Sequence, residues 1–518
     1  MKRRDFVKNV SLSSVAVPFI FKDLNFEAVT KKLFDVSRSA EDKVLVIIRL
    51  NGGNDGLNTL IPIDQYDNLM LQRPNVIIPE NLILPLNATN GFHPSMAGMA
   101  GMFANDKLAI IQNVGYPETN RSHFRSMDIW SYGSTDQATN TGWLGRNLDQ
   151  QFPNFPDDYP NVDNPDPFAI SMGYEVSATC QGLVGNFSHT VNDPFETVNV
   201  GSGSAVNDGT YYGSHMEFLS TMIAQTNAYG QQVNAAANAG NSLSTLYDPL
   251  NPLAVHLKYV AQMISGGLKT KVYIVNLNGF DTHSAQVDPT NTTLGDHADL
   301  MKTLSDAITA FQNDLTLLGL EQRVAGMTFS EFGRQIASNA SDGTDHGDAA
   351  PLFLFGSCLS GTIIGPNPTI SNTIEDQAGI PMQIDFRDVY ASILRDWFEV
   401  NETQVQTLFD HTVTFYPLLR ACNLGIEDLS KLSFEALVYP NPCVNQATLK
   451  FICKDEYVNV AIYDLTGKKI TTLVDKTLNP DKHEVLFETK DLPLGNYQIY
   501  IQKKSGNETV KFLKLRTN

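Results

Sequence analysis

The chain repeats one pattern that restricts its fold more than any other. Runs of consecutive apolar residues, rich in β-branched types, stop abruptly at glycine or polar residues. They are Lys43–Leu50, Leu108–Val114, Val272–Leu277, Val324–Phe329 and Leu352–Phe355. A strand wetted on one face alternates apolar and polar residues, whereas a strand covered on both faces has no need to. Helical spacing fills the intervals. Leu253, Leu257, Val260, Ala261 and Ile264 mark one amphipathic helix ended by Gly266-Gly267. Leu300, Leu304, Ile308, Phe311, Leu315 and Leu318 mark another. Strand–helix alternation predicts an α/β domain with a mostly parallel sheet and helices on both faces.

At 518 residues the chain is too long for one core, so two or more folded units are expected. The net charge of -19 argues against sequence-independent nucleic-acid binding and against adhesion to anionic lipid. No apolar run after the leader is long enough to cross a bilayer. The cysteines, at 180, 358, 422, 443 and 453, lack C-x-x-C spacing. A thiolate zinc site is therefore not expected, and buried thiols are, although Cys443 and Cys453 could pair.

Residues 1–30 read as an export signal. A basic start, Met1-Lys2-Arg3-Arg4, precedes a short, weakly apolar segment ending near Phe21. Arg3-Arg4-Asp5-Phe6-Val7-Lys8 resembles the leader read by the twin-arginine translocase. That resemblance implies periplasmic transit of a folded protein, often with its metal already loaded.

Loops at the carboxyl ends of parallel strands build the site in open α/β sheets. The first is Asn51-Gly52-Gly53-Asn54-Asp55-Gly56-Leu57-Asn58, which brings Asp55 as a candidate and fits no P-loop. After the second strand, Arg121-Ser122-His123-Phe124 opens a helix. Ser122 there is either a nucleophile in the positive end of the helix dipole or an ordinary N-cap. After Val272–Leu277, Asp281 and His283 stand two apart, so an extended backbone points both the same way. Ser330-Glu331-Phe332-Gly333-Arg334 follows the next strand, and Asp345-His346 sits between Gly343 and Gly347. Imidazoles with carboxylates suit a divalent metal: zinc first, with manganese, magnesium and calcium as alternatives. The expected ligands are Asp55, Asp281, His283, Asp345 and His346. Arg121 or Arg334 would hold an anion, and Glu331 would support the ligands or pair internally. His93 and His123 are weaker candidates and His411 a remote one. The other histidines, His297 among them, read as structural or surface residues.

From about residue 43 to 422 these stretches together resemble the bacterial family catalogued as domain of unknown function 1501. The residues that carry the resemblance are Leu50–Asn58, Arg121–Phe124, Gly279–His283, Ser330–Arg334 and Gly343–Gly347. The resemblance implies an alkaline-phosphatase-like fold related to phosphatases and sulfatases, with a metal-bound site and a hydroxyl nucleophile at a helix start. Asn51 stands where that superfamily commonly has Asp. Asp281-x-His283 is tighter than the usual spacing, so a one-metal or degenerate site is an alternative. Residues from about 150 to 250 break the strand–helix rhythm and read as an insertion that sets substrate choice.

From about Phe434 the chain turns all-β, with alternating segments such as Ala447–Ile452 and Val458–Tyr463. This predicts a small immunoglobulin-like sandwich over 434–518. Tyr439-Pro440-Asn441-Pro442, Tyr463–Lys468, Leu492-Pro493-Leu494-Gly495-Asn496-Tyr497 and the basic last strand resemble the type IX secretion sorting domain. By that resemblance the tail is an address for the type IX machinery and the protein ends at the cell surface or outside. The function expected is a metal-dependent hydrolase of phosphate or sulfate esters with an anionic ester or glycan substrate. The alternative is a non-catalytic surface binding protein on the same fold.

Overall fold

The computed structural model describes residues 42–196, 200–201, 208–420 and 436–514, apart from 440, 442, 454–455, 465–467, 480 and 505–506. The leader and the turn at 465–467 lie outside the described residues. The chain divides between Cys422 and Asn423 into two compact units.

The first unit is built on one sheet. Its strands are β1 (Val44–Asn51), β2 (Leu108–Gly115), β3 (Ala169–Met172), β4 (Ser188–Val191), β5 (Val272–Asn278), β6 (Val324–Phe329), β7 (Ala350–Gly356), β8 (Ile363–Ile364) and β9 (Ile384–Asp385). In space the order is β8-β2-β7-β6-β1-β5-β3-β4, with β9 also pairing β2. β1 is central and runs parallel to both β5 and β6. The sheet is mostly parallel, as expected, with β7 the exception, antiparallel to β2 and β6. β7 follows the Asp345-His346 loop with no helical crossover, so the chain re-enters the sheet from the rim the site occupies.

Seven helices matter for the argument: α1 (Ala97–Ala104), α2 (His123–Tyr132), α3 (Trp143–Gln151), α4 (Tyr211–Ala239), α5 (Pro252–Ser265), α6 (Asp296–Leu317) and α7 (Phe386–Asp396). The two-residue period of β1 divides them between the faces. Leu45 and Ile47 join a core with Trp130 of α2, Trp143 of α3 and Tyr390 of α7. Val44, Val46, Ile48 and Leu50 join a second core with Met99 of α1, Val260 of α5 and Phe311 of α6. Burying each such aliphatic side chain contributes about 1.5–3 kcal/mol before chain entropy is charged against it. The two cores clamp β1 from both sides, which fixes where the loop after Asn51 emerges.

The segment from about 150 to 250, expected to be an insertion, supplies strands β3 and β4 of the sheet and the helix α4. Its buried residues are concentrated in the second half, at Gln225, Tyr229, Val233, Ala236 and Ala237. The cysteine expectation needs one correction. Cys180 and Cys443 are buried thiols and Cys443 and Cys453 do not pair, but Cys358 is disulfide-bonded. A disulfide accords with an oxidising destination.

The second unit has two sheets, one of three strands and one of four, enclosing a core of Val438, Leu449, Phe451, Val460, Ile499, Ile501 and Phe512. Residues 456–460 alternate in burial, as a strand of a two-sheet sandwich does.

Candidate metal centre

β1, β5 and β6 end at one rim of the sheet, and the site grows from their loops. Gly52 makes the convergence possible. Its φ is +124°, and a Cβ there would lie 2.3 Å from the Asp281 backbone nitrogen. Only glycine allows the first loop to come this close to the third. Freed of a side chain, Gly52 donates its N–H to Glu331 Oε1 at 2.8 Å, tying in the loop after β6.

Three histidines then share one arrangement. His123 Nδ1 lies 2.8 Å from Glu331 Oε1, and His283 Nδ1 lies 2.8 Å from Asp345 Oδ1. His346 Nδ1 lies 2.8 Å from the Arg121 carbonyl oxygen. Each acceptor requires a proton on Nδ1, which leaves Nε2 bearing a lone pair in the neutral ring. All three Nε2 atoms turn toward Asp281. His346 and His283 approach its Oδ1 at 3.2 Å each, and His123 approaches its Oδ2 at 3.4 Å. That last contact is an ion-pair distance without hydrogen-bond geometry, and His123 Nε2 is buried with no hydrogen-bond partner among the described residues. His283 Nε2 and His346 Nε2 are only 2.8 Å apart. Two bare lone pairs that close repel unless a cation or proton lies between them.

The residues therefore fit a metal. Ligand atoms of His123, Asp281 and His346 lie within 4.8 Å of one another. Metal-bound histidines nearly always donate the second ring nitrogen to a carboxylate or carbonyl, as all three do here. Imidazoles together with a carboxylate suit a divalent metal. The side chains of Asp281 and His283 are 50% and 43% exposed, so the centre opens to solvent on one side.

Electrostatics follow from these partners. The hydrogen bond to Glu331 raises the His123 pKa above its ordinary value, against the effect of burial. Burial lowers that of His346, although Asp281 and the Arg121 carbonyl oppose it. Partial burial works to raise the Asp281 pKa, but Arg334 and His346 outweigh it and hold the group ionised.

The loops at 281–283 and 345–346 do meet, but several expected roles change. Asp345 lies beside His283 Nδ1 and also accepts from Asn339 Nδ2 at 3.0 Å, and it stands outside the group formed by His123, Asp281 and His346. Asp55 is not part of the cluster. It is buried, accepts from Arg73 Nη1 through both oxygens at 2.9 and 2.8 Å, accepts from Gln286 at 2.6 Å, and caps the Gly56–Thr59 turn. Burial works to raise its pKa, and Arg73 overrides that to leave it lowered. Nor is Arg334 free to hold an anion. Its guanidinium is fully buried and donates to the carbonyls of Gly52, Gly53, Phe280 and Thr344 and to Asp281 Oδ1. Arg121 is held by Asp348 in a two-pronged ion pair at 2.9 and 2.8 Å and by the Gln377 carbonyl.

Ser122 lies where the helix-start reading put it, at the N-cap of α2, but its side chain makes no capping bond and is exposed. It stands between Arg121, whose carbonyl holds His346, and His123. Two further expectations resolve as structure. His411 pairs with Asp388 at 2.9 Å, and His297 is buried beside Asn54 at 3.2 Å. His123, a weaker candidate in the sequence, belongs to the group of His123, Asp281 and His346. The only signal for it was its place one residue after Ser122 at a helix start.

Replacing Glu331 by glutamine keeps an acceptor for His123 but removes the charge. Zinc affinity should fall roughly tenfold, the lower end of what such supporting residues contribute. Competition against a fluorescent chelator measures it, and an unchanged affinity would mean His123 is not a ligand.

Residues 86–409 match the family model described as "Protein of unknown function (DUF1501)". Residues 437–515 match the "Secretion system C-terminal sorting domain". With that tail the protein is secreted, to the cell surface or beyond, and carries a type IX sorting domain. Among the described residues no helix is long and apolar enough to cross a membrane. No curated protein matches the chain. Among solved structures, a protein of the alkaline phosphatase superfamily from Vibrio parahaemolyticus aligns at 11% identity, covering 87% of this chain and 91% of its own, with a TM-score of 0.32. The PsFucS1 sulfatase from Pseudoalteromonas sp. aligns at 10% identity over 89% of this chain and 86% of its own, with a TM-score of 0.31. The lipoteichoic acid synthase LtaP from Listeria monocytogenes aligns at 11% identity over 72% and 78%, also with a TM-score of 0.31.

Proposed function

From the premise that this chain belongs to the DUF1501 family, we propose that it is an exported zinc-dependent hydrolase of phosphate or sulfate esters. One observation carries the reading. Three imidazoles, each fixed through Nδ1, turn Nε2 toward a single half-exposed carboxylate at the carboxyl rim of a mostly parallel sheet. Protein side chains fixed in this way, with one side of the cluster open, are the arrangement of a catalytic site rather than a closed structural one.

His123, Asp281 and His346 would hold the ion, with a fourth position left for water or substrate and His283 beside it; Glu331, the Arg121 carbonyl and Asp345 would fix the rings. When bound, zinc supplies a Lewis acid that lowers the pKa of a hydroxyl or water and neutralises charge on an ester oxygen. Ser122 is the nucleophile in this reading. Its hydroxyl is exposed at the positive end of α2, so an oxyanion meets the first N–H groups of that helix. Attack by Ser122 Oγ on phosphorus or sulfur expels the substrate alcohol, and water then releases the anion and restores the serine. Arg334 binds no substrate here. It keeps the loops of Gly52, Phe280 and Thr344 at fixed separations, which this chemistry needs.

The test is turnover of p-nitrophenyl phosphate and p-nitrophenyl sulfate by zinc-loaded full-length protein. Ser122→Ala should keep its zinc and lose turnover. Zinc binding with no turnover of either ester class would favour the non-catalytic binding protein.

A further inference from the structure

We propose that Gln286 is a positioning residue of the metal centre. Its one amide locks the loop that carries Asp281 to the loop that carries His346, and both to the buried Asp55–Arg73 pair. What the lock does for a metal rests on the metal reading above; the lock itself does not.

The two loops touch directly. A Cβ at Gly343 would lie 2.4 Å from the His283 carbonyl oxygen. Thr344 N–H donates to the Thr282 carbonyl at 3.2 Å, and Ala285 N–H to the Ser341 carbonyl at 3.1 Å. The Gln286 side chain closes this junction. Its Oε1 accepts from Thr344 Oγ1 at 2.6 Å and from Thr282 Oγ1 at 3.1 Å. Its Nε2 donates to Asp55 Oδ2 at 2.6 Å. Thr282 follows Asp281 in the chain, and Thr344 comes just ahead of Asp345-His346. One amide oxygen therefore joins the two loops next to their metal-facing residues. The backbone of Gln286 is anchored as well, since its carbonyl accepts from the His297 N–H at the start of α6 at 3.1 Å.

The position asks for an amide. Gln286, Thr282, Thr344, Asp55 and Arg73 are each at most 3% exposed, so a partner lost here is not replaced by bulk water. A carboxylate only accepts, so Nε2 faces Asp55 and Oε1 is left to the two hydroxyls, which donate. Glutamate would set a second carboxylate against Asp55, and methionine would leave both threonine hydroxyls unpaired. Asp55 is fixed in turn by Arg73, which also donates to the carbonyls of Gln335 and Ile336 at 2.6 and 2.8 Å. The Gln335 N–H donates to the Asp345 carbonyl at 2.9 Å. The path that leaves Gln286 through Asp55 thus returns to the loop of His346, and a closed ring of bonds fixes how far that loop stands from Asp281. Metal–ligand distances are defined to about 0.2 Å, so this separation bears directly on affinity.

The test uses full-length protein. Gln286→Met keeps the length of the side chain and removes both ends of the amide; Thr344→Val removes one hydroxyl only. Zinc affinity is measured by chelator competition, the cobalt(II)-loaded centre by its visible absorption spectrum, and the metal-free protein by hydrogen exchange. Zinc affinity should fall about tenfold in Gln286→Met, as for other residues that support metal ligands. It should fall about threefold in Thr344→Val, the loss of one hydrogen bond. The cobalt spectrum should change in both, a response that lost stability alone does not produce. The double variant should bind zinc no more weakly than Gln286→Met, because both changes break one link. Exchange should rise at 280–286 and 343–347 and stay as in wild type in β2 and α5. Unchanged affinity and spectrum in Gln286→Met would overturn the proposal. So would additive losses in the double variant, or exchange that rises equally throughout the first unit. If Gln286→Met does not fold, the spectrum and exchange of Thr344→Val decide. A wild-type protein that binds neither zinc nor cobalt would sink the metal reading, and loop exchange in the variants would then decide the lock by itself.

Discussion

Changing Asp281 to asparagine should strip the protein of its metal while leaving it folded. Asp281 is the one carboxylate that all three imidazole Nε2 atoms face, at 3.2 to 3.4 Å. An amide presents a single weak acceptor oxygen and carries no charge to offset the ion. Supporting residues around a metal site contribute 10–100-fold in affinity, and a direct ligand exceeds them, so a loss of about 100-fold or more is expected. The fold should persist because Arg334 keeps its four carbonyl acceptors and loses only one charge-assisted bond, about 1.5–3 kcal/mol. Elemental analysis after dialysis should find about one zinc per wild-type chain and essentially none in the variant, with matching far-ultraviolet circular dichroism. EDTA should lower the melting temperature of wild type and leave that of the variant unchanged. A variant that retains zinc as wild type does would place the metal elsewhere.

The residues the sequence made visible share a physical property. Asp281 and His283 stand two apart just past a strand whose apolar run is unmistakable, and Asp345-His346 lies between glycines. Such positions advertise both their chemistry and their rim. Asp55 looked the same and is not the same. A carboxylate after a glycine loop reads identically whether it faces the site or Arg73, and only the folded chain shows the buried pair. Periodicity decided the layers, because burial on both faces leaves a mark on every residue of a strand. It could not reveal β7 as antiparallel, since strand direction is set by the path of the preceding loop.

Arg334→Lys should be severely destabilising even though it conserves the charge. The guanidinium makes hydrogen bonds to five acceptors on three loops: Gly52 and Gly53 after β1, Phe280 and Asp281 after β5, and Thr344 before β7. An ammonium has three donors and no planar fork, so at least two of the five acceptors lose their partner, and at least one of these is a buried carbonyl. Each buried acceptor so stranded costs about 1–3 kcal/mol, and the total expected is about 3–5 kcal/mol. Chemical denaturation of the zinc-free proteins measures this without any contribution from metal binding. The damage should also be local. The loops at 52–53, 280–281 and 344 should gain hydrogen exchange before the strands they follow, because both cores are untouched by the change. Zinc affinity should fall with stability, since Asp281 and His346 are positioned by the loops that Arg334 joins. A lysine variant as stable as wild type would mean that the glycine-mediated close approach holds the loops together by itself. The metal centre would then be set by backbone shape, with Arg334 a passenger.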